Sequence, residues 1–180
     1  MTSVVSVLPR ALPYPPRLPA GDRPLSLADL SALVRSVATD PALWQPRVQI
    51  PDGGADRWWT RLSSDPRVDV WLLSWLPGHA TDLHDHGGSA AAFSVVRGRL
   101  AEVRVGARGR PVTHQRVPGS VTWLAPGLVH DVRGAGDRAA VSIHAYSPPL
   151  SEMNYHAWDG HGRLRRTHTV RSVEPERSGE

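Results

Sequence analysis

Three histidines are the residues whose type and spacing indicate chemistry. His84 and His86 are separated by one residue, and His130 follows further along the chain. Side chains two positions apart on an extended strand point to the same face, with Cα atoms roughly 6–7 Å apart. Imidazole nitrogens bind divalent transition metals. If His130 comes from a neighbouring strand, the three side chains can close on one ion, and the sequence predicts a mononuclear metal centre.

No well-placed carboxylate accompanies these histidines, and this limits the kind of substrate that a bound metal would favour. In an iron(II) site with two histidines and one carboxylate, the negative carboxylate neutralises part of the charge of the metal. Three neutral imidazoles leave the full charge of the dication. That charge favours an anionic soft ligand such as a thiolate, whose deprotonation the metal promotes. The remaining coordination positions would accept a bidentate substrate and dioxygen.

A second polar group follows in the run Ser142-Ile143-His144-Ala145-Tyr146. On a strand, the hydroxyl, the imidazole and the phenol share one face. Ser142 can then hold the tautomer of His144, and His144 can orient the Tyr146 hydroxyl. The pattern predicts a hydrogen-bond relay near His130. Taken alone, it also fits ordinary buried polar groups whose hydrogen bonds are satisfied.

Short strands and tight turns have to position these side chains. Residues 68–75 alternate with a period of two and are apolar on both faces, which is typical of a strand covered on both sides. Glycine and proline signals recur at intervals of roughly 8–12 residues, which favours a β-sandwich or barrel. Further strands are predicted at residues 91–97, 99–105, 121–124, 130–133 and 139–146.

One helix is predicted ahead of the strands. Ser26 is a capping residue with Asp29 three places on, and apolar residues then recur at helical spacing up to residue 37. Asp40-Pro41 ends this helix, and a short turn continues through Trp44.

Length and composition indicate one domain. The 180 residues divide into a Pro-rich lead-in over 1–25, a domain over 26–171 and a flexible tail over 172–180. There is no cysteine, which excludes a disulfide framework, a thiolate metal site and a thiol nucleophile. No secretory signal and no run of about 20 apolar residues is present. We therefore expect a cytoplasmic protein with no membrane partner.

The net charge of +4 does not indicate a nucleic-acid partner. All 21 basic residues are arginine, and they alternate with acidic residues along the chain. Binding to phosphate backbones requires clustered positive charge, and only residues 163, 165 and 166 form a small cluster. We expect a monomer that binds small molecules and no nucleic acid.

The residues around the histidines resemble the two-part signature of the cupins. This resemblance implies an all-β fold, a jelly-roll-type β-barrel with a short helical segment at its N-terminal side. Many cupins carry a glutamate ligand four or five places after the second histidine, where this chain has Ala90 and Ala91. The matching positions are Gly78, His84, His86 and Gly98 in one half, and Gly119, Pro126-Gly127 and His130 in the other.

Within the cupins, residues 26–160 resemble cysteine dioxygenase. The resemblance implies Fe(II) held by the three histidines, a relay of Ser142, His144 and Tyr146, and an arginine at position 61 that binds the substrate carboxylate. It also implies that Trp75 and Met153 shape the pocket. The matching runs are Trp59-Thr60-Arg61, Trp75, Gly78-His79, His84-Asp85-His86, Leu128-Val129-His130-Asp131-Val132 and 142–149.

The implied reaction is the oxidation of L-cysteine by O2 to cysteine sulfinic acid. Arg61 favours cysteine because relatives that act on 3-mercaptopropionate usually have glutamine there. Without the resemblance, its sequence context favours a surface ion-pair partner instead. Animal members crosslink the relay tyrosine to a cysteine at the position of Ala91, so Tyr146 is expected to be uncrosslinked. The alternatives are a dioxygenase for 3-mercaptopropionate or another small thiol, a metal-binding cupin that senses or stores a ligand without turnover, and an isomerase that uses manganese or nickel.

Overall fold

The computed structural model describes residues 18, 20–53, 57–106 and 109–175. Most of the predicted Pro-rich lead-in and the end of the predicted tail lie outside these residues. The described part contains one α-helix, two short 3-10 turns and eleven strands. The elements are α1 (Leu27–Thr39), the turns Pro41–Leu43 and Gln45–Arg47, β1 (Trp58–Asp65), β2 (Val68–Trp75), β3 (His84–Asp85), β4 (Ala90–Arg97), β5 (Leu100–Val105), β6 (Pro111–Arg116), β7 (Val121–Leu124), β8 (His130–Gly134), β9 (Ala140–Ser147), β10 (Met153–Trp158) and β11 (Leu164–Val170).

The strands form two antiparallel sheets, as the all-β prediction requires. The first sheet has the order β1-β2-β9-β4-β7, and the second has the order β11-β10-β3-β8-β5-β6. Apolar side chains from the facing sides of the two sheets pack together in the interior. The sheets therefore enclose a core that is lined by alternate residues of each strand.

The helix α1 covers the outer face of the first sheet. Its N-cap is Ser26, whose side-chain oxygen accepts a hydrogen bond of 3.2 Å from the backbone N–H of Asp29, as predicted. Its buried face packs against the outward side of β2, β4 and β9. All eight residues of β2 are buried, because one face meets the helix and the other meets the interior. The buried helix residues are Leu30, Leu33, Val34 and Val37.

Several strands were not predicted, for two physical reasons. The two residues of β3 are too few for any periodicity to show. The others are β1, at the edge of the first sheet, and β6, β10 and β11 in the outer parts of the second sheet, where much of β6 and β11 is exposed and polar. Hydrophobic alternation is weak in such strands because one face is not buried against the core.

The first residues of the predicted tail have described contacts with the domain. Ser172 donates a backbone hydrogen bond of 3.2 Å to the carbonyl of Ser151, and Pro175 is buried. The described part of the tail, residues 172–175, is therefore packed on the domain. Among the described residues, no helix is both long and apolar enough to cross a membrane.

Candidate metal centre and relay

The side chains of the three histidines lie close together on the second sheet. His84 lies in β3 and is directly opposite His130, the first residue of β8, while His86 follows β3 on the same side. One nitrogen from each ring lies within 4.8 Å of the other two. Ring centroids are 4.7 Å apart for His84 and His130, and 5.0 Å apart for His84 and His86. All three side chains are buried, and the geometry suits one metal ion.

Hydrogen bonds orient two of the rings. His84 Nδ1 lies 2.8 Å from the carbonyl oxygen of Asp82, which can only accept a hydrogen bond. His130 Nδ1 lies 3.0 Å from a carboxylate oxygen of Glu102. In both rings Nδ1 must then carry the proton, and Nε2 keeps its lone pair. His130 Nε2 is buried and has no hydrogen-bond partner in the described part of the chain, as a metal ligand would require.

Burial keeps the imidazoles neutral. It is the main reason that the pKa values of His84 and His86 lie well below the usual range, and the neighbouring histidines lower them further. Neutral imidazoles have a lone pair available for a metal, whereas protonated ones repel it. These residues therefore fit a divalent ion such as Fe(II).

Asp85, between the two paired histidines, points away from the metal centre. Its carboxylate accepts hydrogen bonds from the backbone N–H of Gly87 at 2.7 Å and from the amide of Asn154 at 2.9 Å, and it lies 2.7 Å from His156 Nε2. Gly87 has a φ of 56°, a conformation that favours glycine. These contacts fix the backbone that carries His84 and His86.

Glu102 is a functional candidate that sequence reasoning missed. It lies in β5, is fully buried, and is the acceptor for His130 Nδ1. Two of its neighbours are cationic: Arg116 donates to it at 2.6 and 2.8 Å, and Arg104 lies 3.1 Å away. Burial acts to raise the pKa of Glu102, but the hydrogen bond from His130 and the charge of Arg104 hold it at about 2. The only sequence signal was an acidic residue in a strand that is otherwise largely apolar.

The carboxylate of Glu102 adds a negative charge near the metal site that the sequence analysis did not include. The described ligand cluster contains only histidine, as predicted. The negative charge of Glu102 is nevertheless hydrogen-bonded to one of these ligands, His130. Because Arg104 and Arg116 balance that charge, the centre still presents net positive charge to an anionic substrate. Glu102 instead fixes the tautomer and orientation of His130.

The predicted relay residues form a continuous chain. The Trp75 indole donates to Ser142 Oγ at 2.8 Å, Ser142 Oγ lies 2.9 Å from His144 Nε2, and His144 Nδ1 lies 3.5 Å from the Tyr146 hydroxyl. An indole N–H can only donate, so Ser142 Oγ accepts from Trp75, and its own hydroxyl hydrogen can be donated to His144 Nε2. Nδ1 then carries the ring proton and donates to the phenol oxygen.

The phenol of the relay lies beside the metal centre. The rings of Tyr146 and His86 have centroids 5.0 Å apart, and Phe93 stacks on His144 at 4.9 Å. Burial lowers the pKa of His144 to about 3, so its ring is neutral at pH 7. Ala91 is directly opposite Tyr146 in the pairing of β4 and β9. A methyl group therefore occupies the place where a crosslinking cysteine would be needed.

The three histidines line one cavity together with His144 and Tyr146 of the relay. Trp75 and Met153 form part of its wall, where the resemblance placed them. Its lining comprises Arg57, Leu73, Trp75, Thr81, His84, His86, His130, Val132, His144, Tyr146, Met153 and Pro175.

The structure corrects the placement of Arg61, which does not line this cavity. Its guanidinium carbon lies 4.5 Å from the centroid of the Trp71 ring, and its Nε is 3.9 Å from Asp69. It also donates to the carbonyl of Val173 at 3.3 Å, and its side chain is 39% exposed. Arg61 is opposite Trp71 in the pairing of β1 and β2.

Arg57 is the arginine that reaches the cavity. It immediately precedes β1, is buried, and has its guanidinium carbon 4.3 Å from the Trp75 ring centroid. After burial, its charge is among the causes that lower the pKa of His84 and of His144. Arg57 and Arg61 are four residues apart, so on an extended segment their side chains point to the same face and their Cα atoms are about 13 Å apart. The sequence pattern alone does not distinguish them.

Replacing Glu102 by glutamine should weaken metal binding. Glu102→Gln keeps an acceptor for His130 but leaves the charges of Arg104 and Arg116 without their counterion. We expect the affinity of the protein for Fe(II) under anaerobic conditions to fall about 10- to 100-fold, measured by competition with a chelator. The exposed substitution Asp137→Asn is the control and should have no effect. Equal affinities for the two variants would exclude this role for Glu102.

The metal-free protein should lose stability in acid because of its buried histidines. The pKa of His144 is about 3 when folded and near 6.5 when unfolded, so only the unfolded chain gains this proton between these values. The stabilisation is complete above pH 6.5 and decreases as pH falls towards 3, by about 1.4 kcal/mol per pH unit for each such histidine. Chemical denaturation at several pH values should show a shallower slope for His144→Gln than for the unmodified protein.

The comparisons with known proteins are consistent with this geometry. Residues 25–160 match the family model described as cysteine dioxygenase type I. A solved structure of oxalate oxidase in complex with the substrate analogue glycolate is similar, with a TM-score of 0.51 and 13% identity over 63% of this chain and 63% of that one. At this identity the likeness concerns the fold alone.

Two further structures have TM-scores of 0.48. One is an uncharacterized conserved protein with a double-stranded β-helix domain from Klebsiella pneumoniae, 14% identical over 55% of this chain and 83% of that one. The other is the Cnp3 cupin domain of Schizosaccharomyces pombe, 12% identical over 57% and 65% of the two chains. The family match, which spans well over half of the 180 residues, decides the assignment. The chain belongs to the cysteine dioxygenase type I family, a family of cupin thiol dioxygenases.

Proposed function

We propose that this protein is an Fe(II)-dependent dioxygenase that converts L-cysteine and O2 into cysteine sulfinic acid. The observation that carries the proposal is a single cavity that holds three metal-ligating histidines, a hydrogen-bond relay and the buried guanidinium of Arg57. His84, His86 and His130 would be the metal ligands. Consistent with the sequence expectations, the proposal includes a cytoplasmic monomer that acts on small molecules.

The reaction balances without any further reagent. A thiol and dioxygen give a sulfinic acid when both oxygen atoms are transferred to sulfur, and the substrate sulfur supplies all the electrons that reduce dioxygen. Bound iron would supply a site for the substrate thiolate and for dioxygen on the side left open by the three histidines. No external reductant has to enter the cavity.

Arg57 would bind the substrate carboxylate. A buried guanidinium forms strong charge-assisted hydrogen bonds with a carboxylate, in a planar geometry that fixes the substrate. Its position over Trp75 is itself constrained, since the indole donates to Ser142 of the relay. Carboxylate binding and the relay are therefore coupled through one tryptophan.

Tyr146 would donate its phenolic proton to the substrate or to the oxygen bound beside it. His144 Nδ1 supplies a hydrogen bond to the phenol oxygen in the tautomer derived above, so the phenolic hydrogen points away from His144. Trp75, Ser142 and His144 thereby act as positioning residues for one proton. The proposed role of Met153 is to shape the apolar side of the cavity.

One observation favours a second candidate substrate. No acidic side chain lines the cavity among the described residues, so nothing there would pair with the ammonium of free cysteine. An amine-free acid such as 3-mercaptopropionate would fit Arg57 equally well. In the cysteine proposal, the amine would have to bind the metal together with the sulfur.

Product analysis tests the proposed reaction. Incubation of the iron-loaded protein with cysteine and labelled dioxygen should give cysteine sulfinic acid with both labelled atoms in one molecule. His86→Ala should abolish the product because it removes a metal ligand, whereas His161→Ala on an exposed turn should not. The same assay with 3-mercaptopropionate identifies the preferred thiol. If no small thiol causes oxygen uptake, the protein is a metal-binding cupin without this activity.

The two arginines give a direct test of carboxylate binding. Arg57→Gln should lower kcat/KM for cysteine by about 10- to 100-fold, mainly through KM, because a charge-assisted hydrogen bond is lost. The same substitution should change kcat/KM for cysteamine little, because cysteamine has no carboxylate. Arg61→Gln should have the smaller effect on cysteine. If Arg61→Gln had the larger effect, Arg61 rather than Arg57 would be the carboxylate ligand.

A further inference from the structure

The residues that follow β11 cross the end of the cavity. We call residues 172–175 the C-terminal strap. At its start, Ser172 donates a backbone hydrogen bond to Ser151, and at its end Pro175 is buried and lines the cavity of the three histidines. Between them, the carbonyl of Val173 accepts a hydrogen bond from Arg61. The strap thus runs from the edge of the second sheet to the first sheet.

Arg61 is well placed to hold this strap. Its guanidinium is stacked on Trp71 and paired with Asp69, and the same carboxylate accepts a hydrogen bond of 2.7 Å from Ser64 Oγ. These contacts fix the guanidinium on β1 and direct one N–H group towards Val173. The arginine that the sequence predicted to bind substrate therefore contacts a segment of the protein itself.

The cavity is too small for the proposed substrate while Pro175 is in place. The centres of water molecules can occupy about 20 Å³ of it, room for about one water. Cysteine needs several times the volume of a water molecule. Most of the other lining residues lie in hydrogen-bonded strands, whereas Pro175 belongs to a segment held by few contacts. The strap is accordingly the part of the wall that can move at the smallest cost.

We propose that Pro175 is a specificity-determining wall of the substrate pocket, and that Arg61 is a positioning residue that holds it through the Val173 carbonyl. The strap moves aside when the thiol enters, and its closed position limits the size of the thiols that are oxidised. This inference rests on the proposed thiol dioxygenase function for its effect on substrates. The position and mobility of the strap are testable without turnover.

The absence of cysteine from the chain allows a direct test. In the metal-free protein, the thiol of Pro175→Cys should react slowly with a maleimide, because this position is buried in the cavity wall. Adding Arg61→Ala should accelerate the reaction about tenfold, as one strap-holding hydrogen bond is lost. The control Val173→Cys, at a residue that is 62% exposed, should react rapidly in both backgrounds. If Arg61→Ala leaves the rate at position 175 unchanged, the proposal is wrong.

Kinetics with two thiols test the effect on specificity. Arg61→Ala should raise the ratio of kcat/KM for homocysteine to kcat/KM for cysteine about tenfold, while Arg61→Lys, which can still donate to the carbonyl, should restore most of the original ratio. A loss of activity of about 100-fold towards every carboxylate-bearing thiol, with unchanged labelling at position 175, would instead make Arg61 a substrate ligand. If labelling behaves as expected but no thiol is oxidised, the proposed function fails and the strap remains a pocket wall.

Discussion

The direct pairing of His84 with His130 across β3 and β8 is the constraint on which the site depends. It brings together two imidazoles that are 46 residues apart in sequence, and the two-residue step to His86 completes the cluster. Because these rings are buried, the protein interior tolerates them only if their nitrogens are satisfied. The Asp82 carbonyl and Glu102 satisfy the outer nitrogens, and the inner ones are left for a metal. The surrounding sheets maintain this division.

Much of this arrangement could be predicted from the sequence, because it has local signals. The capped helix, the doubly covered strand β2 and the barrel-like spacing of turns each follow from periodicity or turn chemistry. The same holds for the His84 and His86 pair and for the shared face of Ser142, His144 and Tyr146, which period-two geometry determines. Such features depend on residues close together in the chain. The structure places His84, His86, His144 and Tyr146 around one cavity, and Ser142 behind His144.

The parts that could not be predicted depend on contacts between distant residues. Arg57 and Arg61 share a face of one extended segment, and only the register of β1 with β2 decides which of them reaches the cavity. Glu102 lies beside His130 because β5 pairs with β8, which no local pattern indicates. Residues 172–175 are too few to show a periodic pattern and were predicted to belong to a tail, although Pro175 is buried in the cavity wall. Register and packing in three dimensions supply this information.

The pairing of β6 with β5 connects the metal centre to the rim of the second sheet. Arg116 lies on β6, the outermost strand, and its guanidinium donates to Glu102, which in turn accepts from His130. The rim strand is therefore part of the support of the centre and not only a border of the sheet. Fraying of β6 would therefore remove one cationic partner of Glu102 without touching any of the three histidines.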